Sequence, residues 1–179
     1  MVRVIKGVLG AAVLSAGLLT GGAAAAGASP AGGAIELWVT PAQNSTGAGK
    51  VIVTGAIGDY GPAQKVNSAG KPSAKGASRK LVLKKGTIII NVSQFTAAQN
   101  NLNPTIDNTN CSATGTIAAP VQIVSGTGAY VGITGTVNLT ADVAFILPKT
   151  KSGSCDTSGN GTPLAIYQTV SGPGTVSFS

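Results

Sequence analysis

The chain has 179 residues, of which 43% are hydrophobic, 9% charged and 4% aromatic, and its formal net charge at pH 7 is +7. A chain of this length most often forms one domain. It contains no histidine, and this excludes a Ser-His-Asp triad, a Cys-His nucleophile pair and a zinc site that depends on histidine.

Residues 1–28 are predicted to be a cleaved secretory signal peptide. Arg3 and Lys6 form its positive start, an apolar stretch follows, and a run of small residues ends it. The apolar core is about a dozen residues long, whereas a membrane span needs about twenty. Cleavage leaves a domain of residues 29–179 with ten basic and five acidic side chains, a net charge of +5. We expect the protein to be secreted, either extracellular or at the cell envelope.

Beyond this leader, apolar residues recur with a period of two, which predicts strands rather than helices. The clearest case is 133–147, where most odd positions are apolar and most even positions polar. Turn-forming glycine, proline, asparagine and serine residues separate such stretches. In chain order, the predicted strands are 35–40, 50–57, 80–83, 87–92, 113–124, 133–147, 164–170 and 174–178.

Two segments between these strands are interpreted differently. The tetrapeptide 59–62, Asp-Tyr-Gly-Pro, is predicted to be a turn, and 92–102 is predicted to form a helical turn at most. About eight short strands in one domain indicate an all-β barrel or sandwich. We favour a single antiparallel barrel, because closure leaves no exposed edge on so many apolar strands.

Two cysteines, Cys111 and Cys155, remain after removal of the leader. Export to an oxidising compartment favours one disulfide between them. A reactive thiol and a metal-ligand pair are the other interpretations. Both are weakened because the chain offers neither a histidine nor a third cysteine as a partner.

Basic residues are concentrated in one part of the chain that contains no acidic residue. An anionic partner such as an envelope polymer is one interpretation of this patch, and a solvated loop is the other. Nucleic acid is not expected, because no aromatic residue is available there for base stacking. The patch comprises Lys65, Lys71, Lys75, Arg79, Lys80, Lys84 and Lys85.

The acidic residues give little support to acid–base catalysis. Glu36 is the one weak candidate, since it lies beside Trp38 on the strand face opposite Ile35 and Leu37. If that face lined a barrel cavity, Glu36 would be placed to serve as a general acid or base. No calcium-loop spacing occurs, so we expect neither a metal nor a cofactor.

The most distinctive string is GTGAYVGITG, from Gly126 to Gly135. Its glycine spacing differs from that of a dinucleotide-binding loop, and a predicted strand rather than a helix follows it. Physically it is a glycine-rich turn between two long strands, anchored by Tyr130. It resembles the GTG-x-Y/F-x-G-x-x-G hairpin of the allene oxide cyclase and dirigent-like β-barrel superfamily, and the likeness extends over about residues 34–179.

This resemblance implies a secreted bacterial member with an eight-stranded antiparallel barrel, an apolar cavity and a homo-oligomeric state. It also implies that the cavity guides cyclisation or coupling of hydrophobic molecules by its shape. The cyclases of the family use a cavity glutamate. Glu36 is the only glutamate of this chain, but no motif aligns it with that position, so catalysis is not carried over.

Three functions remain as hypotheses. The first is a non-enzymatic barrel that binds an apolar small molecule or an envelope component, with Trp38, Tyr130 and Phe145 as ligand-binding residues. The second is a cyclase- or dirigent-like enzyme that templates a hydrophobic intermediate. The third is a structural or surface-interaction protein that uses the basic patch. We expect a non-enzymatic binder, and a cavity above roughly 300 Å³ would favour ligand chemistry.

Overall fold

The structure is a computed structural model that describes residues 31–40, 48–67, 69–158 and 161–179. The predicted signal peptide lies outside these residues. No helix in the described part of the chain is long and apolar enough to cross a bilayer. The elements in chain order are β1 Gly33–Thr40, β2 Gly49–Gly55, β3 Asp59–Val66, β4 Ser78–Leu83, β5 Gly86–Asn91, α1 Ser93–Asn100, β6 Thr105–Asp107, β7 Ser112–Gly128, β8 Ile133–Ile146 and β9 Ala165–Phe178.

Eight of these strands close into an antiparallel barrel, as the sequence predicts. The order around the barrel is β5-β4-β3-β2-β1-β9-β8-β7, and pairing of β5 with β7 closes the circle. The short β6 lies outside the circle and pairs with the beginning of β7. All of these pairings are antiparallel.

The interior of the barrel is filled with side chains. Inward-facing residues alternate with outward-facing ones along each strand, and the buried ones join into one apolar cluster. An eight-stranded barrel is just wide enough for its own side chains to fill it. The cluster includes Ile35, Leu37, Val51, Val53, Leu81, Leu83, Ile88, Val121, Ile133, Val137, Leu139, Val143 and Val176.

Three local predictions are wrong. Residues 59–62 are not a turn but the beginning of β3. Gly61 and Pro62 suggested a turn. The ladder between β3 and β4 begins only at Ala63, so the N–H group that Pro62 lacks is not needed for pairing with β4. Residues 92–102 form the eight-residue helix α1, whose buried Phe95 supplies the packing that its sequence pattern does not show.

The third error concerns the end of the chain, where two short strands are predicted and one strand of 14 residues is found. The predicted strands 164–170 and 174–178 leave a break at 171–173, where Gly172 and Pro173 lie. Instead, β9 continues through it because its pairing with β1 is unbroken there, with Gly172 opposite Leu37 and Pro173 opposite Glu36. The backbone of β8 also passes very close. A Cβ on Gly172 would collide with the carbonyl oxygen of Asn138.

The predicted disulfide is present between Cys111 and Cys155, with 5.3 Å between their Cα atoms. It connects the residue before β7 to the long connection between β8 and β9. The two cysteines are 44 positions apart, and closing a loop of that length stabilises the fold by about 4 kcal/mol on the chain-entropy model.

Candidate functional site

A row of large apolar side chains crosses the outer face of the barrel. Trp38 on β1 pairs with Ile52 on β2, and Ile52 pairs with Tyr60 on β3. Their side chains are 51%, 54% and 58% exposed. Each has at least one buried neighbour on its own strand, so strand alternation places all three on the solvent side. We call Trp38, Ile52 and Tyr60 the outer aromatic row.

The outer aromatic row lines a surface groove of about 920 Å³. The groove runs over β1, β2 and β3 and reaches the middle of β9 at Thr169. The Nζ atom of Lys84 lies 5.4 Å from the centre of the Tyr60 ring, within the range of a cation–π interaction. The lining described for the groove contains two lysines, Lys50 and Lys84, and no acidic residue.

Next to Tyr60 in the chain, the carboxylate of Asp59 is buried and accepts hydrogen bonds from four donors. The backbone N–H groups of Tyr60, Lys84 and Lys85 donate to it at 2.7, 3.2 and 2.9 Å. The hydroxyl of Tyr130 donates at 2.5 Å. Asp59 thereby joins the beginning of β3 to the β4–β5 turn and to the β7–β8 turn, which are all at one end of the barrel.

The environment of this pair shifts both pKa values. Burial alone would raise the pKa of Asp59, but the hydrogen bonds from Tyr130 and the three backbone N–H groups outweigh it and lower that pKa. Burial raises the pKa of the Tyr130 hydroxyl well above its usual range, and the hydrogen bond to Asp59 and the charge of Asp59 act in the same direction. The pair is therefore an ionised carboxylate that accepts a hydrogen bond from a neutral phenol.

The glycines around Tyr130 explain the distinctive string of the sequence. Tyr130 is fully buried, and a Cβ on Gly126 would collide with its backbone oxygen. Gly128 has a φ of +64° and packs against the backbone of Lys85, whereas Gly132 has a φ of +77° and packs against Ser179. The string is thus a tightly packed turn anchored by Tyr130, as its residues predict.

The three ligand-binding residues predicted from the sequence do not come together. Trp38 is on the outer face and lines the groove. Tyr130 is enclosed in the core, with its hydroxyl occupied by Asp59. Phe145 is partly buried and packs against the core cluster. Only Trp38 is therefore positioned to contact a ligand in the groove.

Glu36, the weak catalytic candidate, is not on a strand face that lines the interior of the barrel. Its neighbours Ile35 and Leu37 are buried in the barrel, so strand alternation directs Glu36 outward. It pairs with Thr54 and Pro173 across the outer face. Glu36 is not among the residues that line the groove.

The basic patch is divided between two ends of the barrel. Lys71 and Lys75 are exposed on the connection between β3 and β4, whereas Lys84 and Lys85 are exposed at the β4–β5 turn. The six residues of β4 separate these groups by about 20 Å.

The other basic residues of the patch lie on the strands between those groups. Lys65 is exposed on β3 and pairs with Arg79. Arg79 is half-buried beside Ile90, and this burial lowers its pKa. Lys80 is also half-buried. The patch therefore does not present one continuous cationic surface, and only Lys84 belongs to the groove.

A second, more polar groove of about 510 Å³ lies over β7, β8 and β9. Its lining includes Thr116, Asp142 and Tyr167, and the hydroxyl of Thr116 donates to Asp142 at 2.7 Å. No group of three or more Cys, Asp or Glu side chains that could hold a metal ion occurs within the described ranges.

No family model matches this chain, and no curated protein or solved structure matches it. Sequence reasoning missed Ile52 and Tyr60 as groove residues and Asp59 as their support. Extending the strand alternation across 59–62 would have placed Tyr60 outward and Asp59 inward, but Gly61 and Pro62 concealed that pattern.

Proposed function

We propose that this protein is a secreted, non-enzymatic β-barrel of the allene oxide cyclase and dirigent-like type that binds an apolar ligand on its outer face. The ligand is either a small molecule or the apolar part of a cell-envelope component. The binding surface is the groove lined by the outer aromatic row. The observation that carries the proposal is the alignment of Trp38, Ile52 and Tyr60, each more than half exposed, in one groove.

The energetics of this row support a binding role. Leaving large apolar side chains in water forfeits the roughly 1.5–3 kcal/mol that each would gain if fully buried. Contiguous exposed apolar groups bordered by polar ones are typical of interaction sites. Lys50 and Lys84 border the row without any acid in the groove lining. A ligand with a flat apolar body and an anionic group would therefore be complementary to both parts of the surface.

A cyclase- or dirigent-like activity has less support. That chemistry needs an enclosed apolar space in which a reactive intermediate is held, and the interior of this barrel is filled by its own side chains. The basic-patch hypothesis has less support as well, because its lysines lie in separate groups. An anionic envelope component remains compatible with the groove through Lys50 and Lys84.

Trp38 makes the proposal directly testable because it is the only tryptophan of the chain. The probe is 1-anilinonaphthalene-8-sulfonate, an aromatic anion whose absorption accepts energy from tryptophan. We expect saturable quenching of the Trp38 emission as the probe is added to the folded, disulfide-bonded protein. Tyr60→Ala should weaken binding by about tenfold, which corresponds to about 1.4 kcal/mol.

Val131→Ala is the matched control, since Val131 is 67% exposed but lies outside the groove. Its affinity for the probe should equal that of the unmodified protein. Equal weakening by Tyr60→Ala and Val131→Ala would contradict the proposal, as would a Trp38 emission that does not respond to the probe. Circular dichroism of each variant verifies that the barrel is intact.

A further inference from the structure

The second groove, which we call the polar groove, is lined by hydroxyl groups and one carboxylate that the proposed function does not use. Thr116 on β7 pairs with Asp142 on β8, and Asp142 pairs with Thr169 on β9. The hydroxyl of Thr116 donates to Oδ1 of Asp142 at 2.7 Å. Within the described ranges, Oδ2 of Asp142 accepts no hydrogen bond from the protein, so its lone pairs are available to a ligand.

A neighbouring row of side chains adds an aromatic ring to this groove. Ala144 lies two residues after Asp142 on β8 and pairs with Thr114 on β7 and with Tyr167 on β9. The short side chain of Ala144 leaves room between Thr114 and Tyr167. Tyr167 is 68% exposed and is the diagonal neighbour of Asp142, and such neighbours lie about 7–8 Å apart in an antiparallel sheet. One small cyclic molecule can therefore contact both side chains.

The charge of the polar groove is the reverse of that of the groove beside the outer aromatic row. Its described lining contains Asp142 and no basic residue, whereas the lining of the other groove contains two lysines and no acid. Asp142 disfavours an anionic ligand, and the net positive charge of the chain repels a cationic one at long range. Asp142 belongs to no cluster of metal-ligating side chains in the part of the chain that the structure describes. These features favour an uncharged ligand that donates hydrogen bonds.

We propose that the polar groove binds a neutral saccharide. A sugar ring has a face of C–H groups and an edge of hydroxyl groups. The C–H face lies on the ring of Tyr167, whose π face is electron-rich, and a hydroxyl at the edge donates to Oδ2 of Asp142 in a charge-assisted hydrogen bond. The hydroxyl of Thr114 can donate to or accept from the other sugar hydroxyls. The groove volume of about 510 Å³ is within the range of small-molecule sites.

NMR titration of the isotope-labelled, disulfide-bonded protein with disaccharides tests this proposal. The neutral probes are cellobiose, maltose, lactose and N,N′-diacetylchitobiose. At least one of them should shift the amide signals of Asp142, Ala144 and Tyr167 saturably. We expect a dissociation constant of about 1–10 mM, because one aromatic ring and a few hydrogen bonds make the contact. Tyr167→Ala and Asp142→Asn should each weaken binding by at least tenfold.

Two control variants separate this site from its surroundings. Ile166→Ala is matched to Tyr167→Ala, since Ile166 is 66% exposed on the same strand but does not line the polar groove. It should bind the disaccharide as the unmodified protein does. Tyr60→Ala, in the other groove, should also leave disaccharide binding unchanged. Thr169 is the one residue that the two described linings share, so failure of this proposal is distinguishable from failure of the proposed function.

The cationic disaccharide of glucosamine identifies the competing ligand class. If it bound and none of the four neutral probes did, Asp142 would be a cation site and the saccharide proposal would be overturned. The absence of saturable shifts with every neutral probe would overturn it as well. So would shifts that map away from the polar groove, or equal weakening of binding by Tyr167→Ala and Ile166→Ala.

Discussion

Asp59 and Tyr60 are neighbours in the chain, but they lie on opposite sides of the barrel wall. Asp59 points into the core, where it is 6% exposed, and Tyr60 points into solvent, where it is 58% exposed. An inward carboxylate and an outward aromatic ring reverse the usual distribution of polar and apolar residues in a barrel.

The two residues differ in how far the protein itself satisfies them. Every interaction that Asp59 needs comes from the chain, through three backbone N–H groups and the hydroxyl of Tyr130. Within the described part of the chain, the Tyr60 ring has a cation–π contact with Lys84 and its neighbours in the outer aromatic row. We infer that the first position is structural and that the second is available to a ligand. A substitution of Asp59 should therefore lower the free energy of unfolding, whereas a substitution in the outer aromatic row should weaken ligand binding and change stability little.

The largest effect is expected from Asp59→Ala. This change leaves the Tyr130 hydroxyl and the N–H groups of Lys84 and Lys85 without their acceptor, and orphaned buried groups of this kind cost about 3–5 kcal/mol in total. Urea unfolding followed by circular dichroism measures the loss. Asp142→Asn is the control, because Asp142 is exposed, and it should change the free energy of unfolding by less than about 0.5 kcal/mol.

Tyr130→Phe should lower the free energy of unfolding by less, about 1.5–3 kcal/mol, because it removes one hydrogen bond to a charged acceptor and keeps the ring.

The loss of stability caused by Tyr130→Phe should depend on pH. The lowered pKa of Asp59 stabilises the fold above about pH 4, and this contribution is lost as the pH falls through the folded-state pKa. The raised pKa of Tyr130 stabilises the fold below about pH 10, and this contribution is lost above it as the unfolded chain ionises.

The difference in unfolding free energy between the unmodified protein and Tyr130→Phe should thus be constant from about pH 5 to pH 9. It should become smaller at lower pH and at higher pH. Urea unfolding at a series of pH values measures it. A difference that remains unchanged above about pH 10 would show that Tyr130 is not held neutral in the folded state.

On the outer side, Ile52→Ser should leave the free energy of unfolding within about 0.5–1 kcal/mol of the original, because the side chain is already half in water. The same change should weaken probe binding in the groove severalfold. Urea unfolding and quenching of the Trp38 emission measure the two effects on one sample. If Ile52→Ser lowered the free energy of unfolding by several kcal/mol and left probe binding unchanged, the outer side would be structural and the proposed binding role would be wrong.

The smallest effect is expected from Lys84→Gln, which removes the cation over the Tyr60 ring but keeps the backbone N–H that Asp59 accepts from. Stability should change by about 0.5 kcal/mol or less, the usual value of an exposed cation–π contact. Binding of the anionic probe should weaken and lose much of its salt dependence. Lys71→Gln, on the distant β3–β4 connection, should leave both unchanged.

The number of barrel strands was predicted correctly, but through two errors that offset each other. Residues 59–62 were interpreted as a turn, so β3 was missed, and the end of the chain was interpreted as two strands, 164–170 and 174–178, so β9 was divided. In both places the sheet tolerates glycine and proline for a reason that lies outside the local sequence. Pro62 lies where a ladder ends, and Gly172 allows the backbone of β8 to approach closely.

The candidate site was predicted only in part. Trp38 was identified from its own strand, but its partners in the outer aromatic row come from strands 14 and 22 positions further along the chain. Tyr130 was recognised as an anchor from the glycines around it, whereas its partner Asp59 is 71 positions away. No local pattern connects residues at such distances, so ligand binding was assigned to an aromatic residue that the core encloses.

Strand alternation, cysteine number and glycine spacing can be read from the sequence alone, and they were enough to predict the all-β class, the disulfide and the glycine-rich turn. The packing of the strands was needed to establish that side chains fill the interior, that Glu36 and Trp38 face outward, and that the basic residues lie in separate groups. These features depend on the register between strands far apart in the chain. That register also brought Trp38, Ile52 and Tyr60 together on the outside of the barrel.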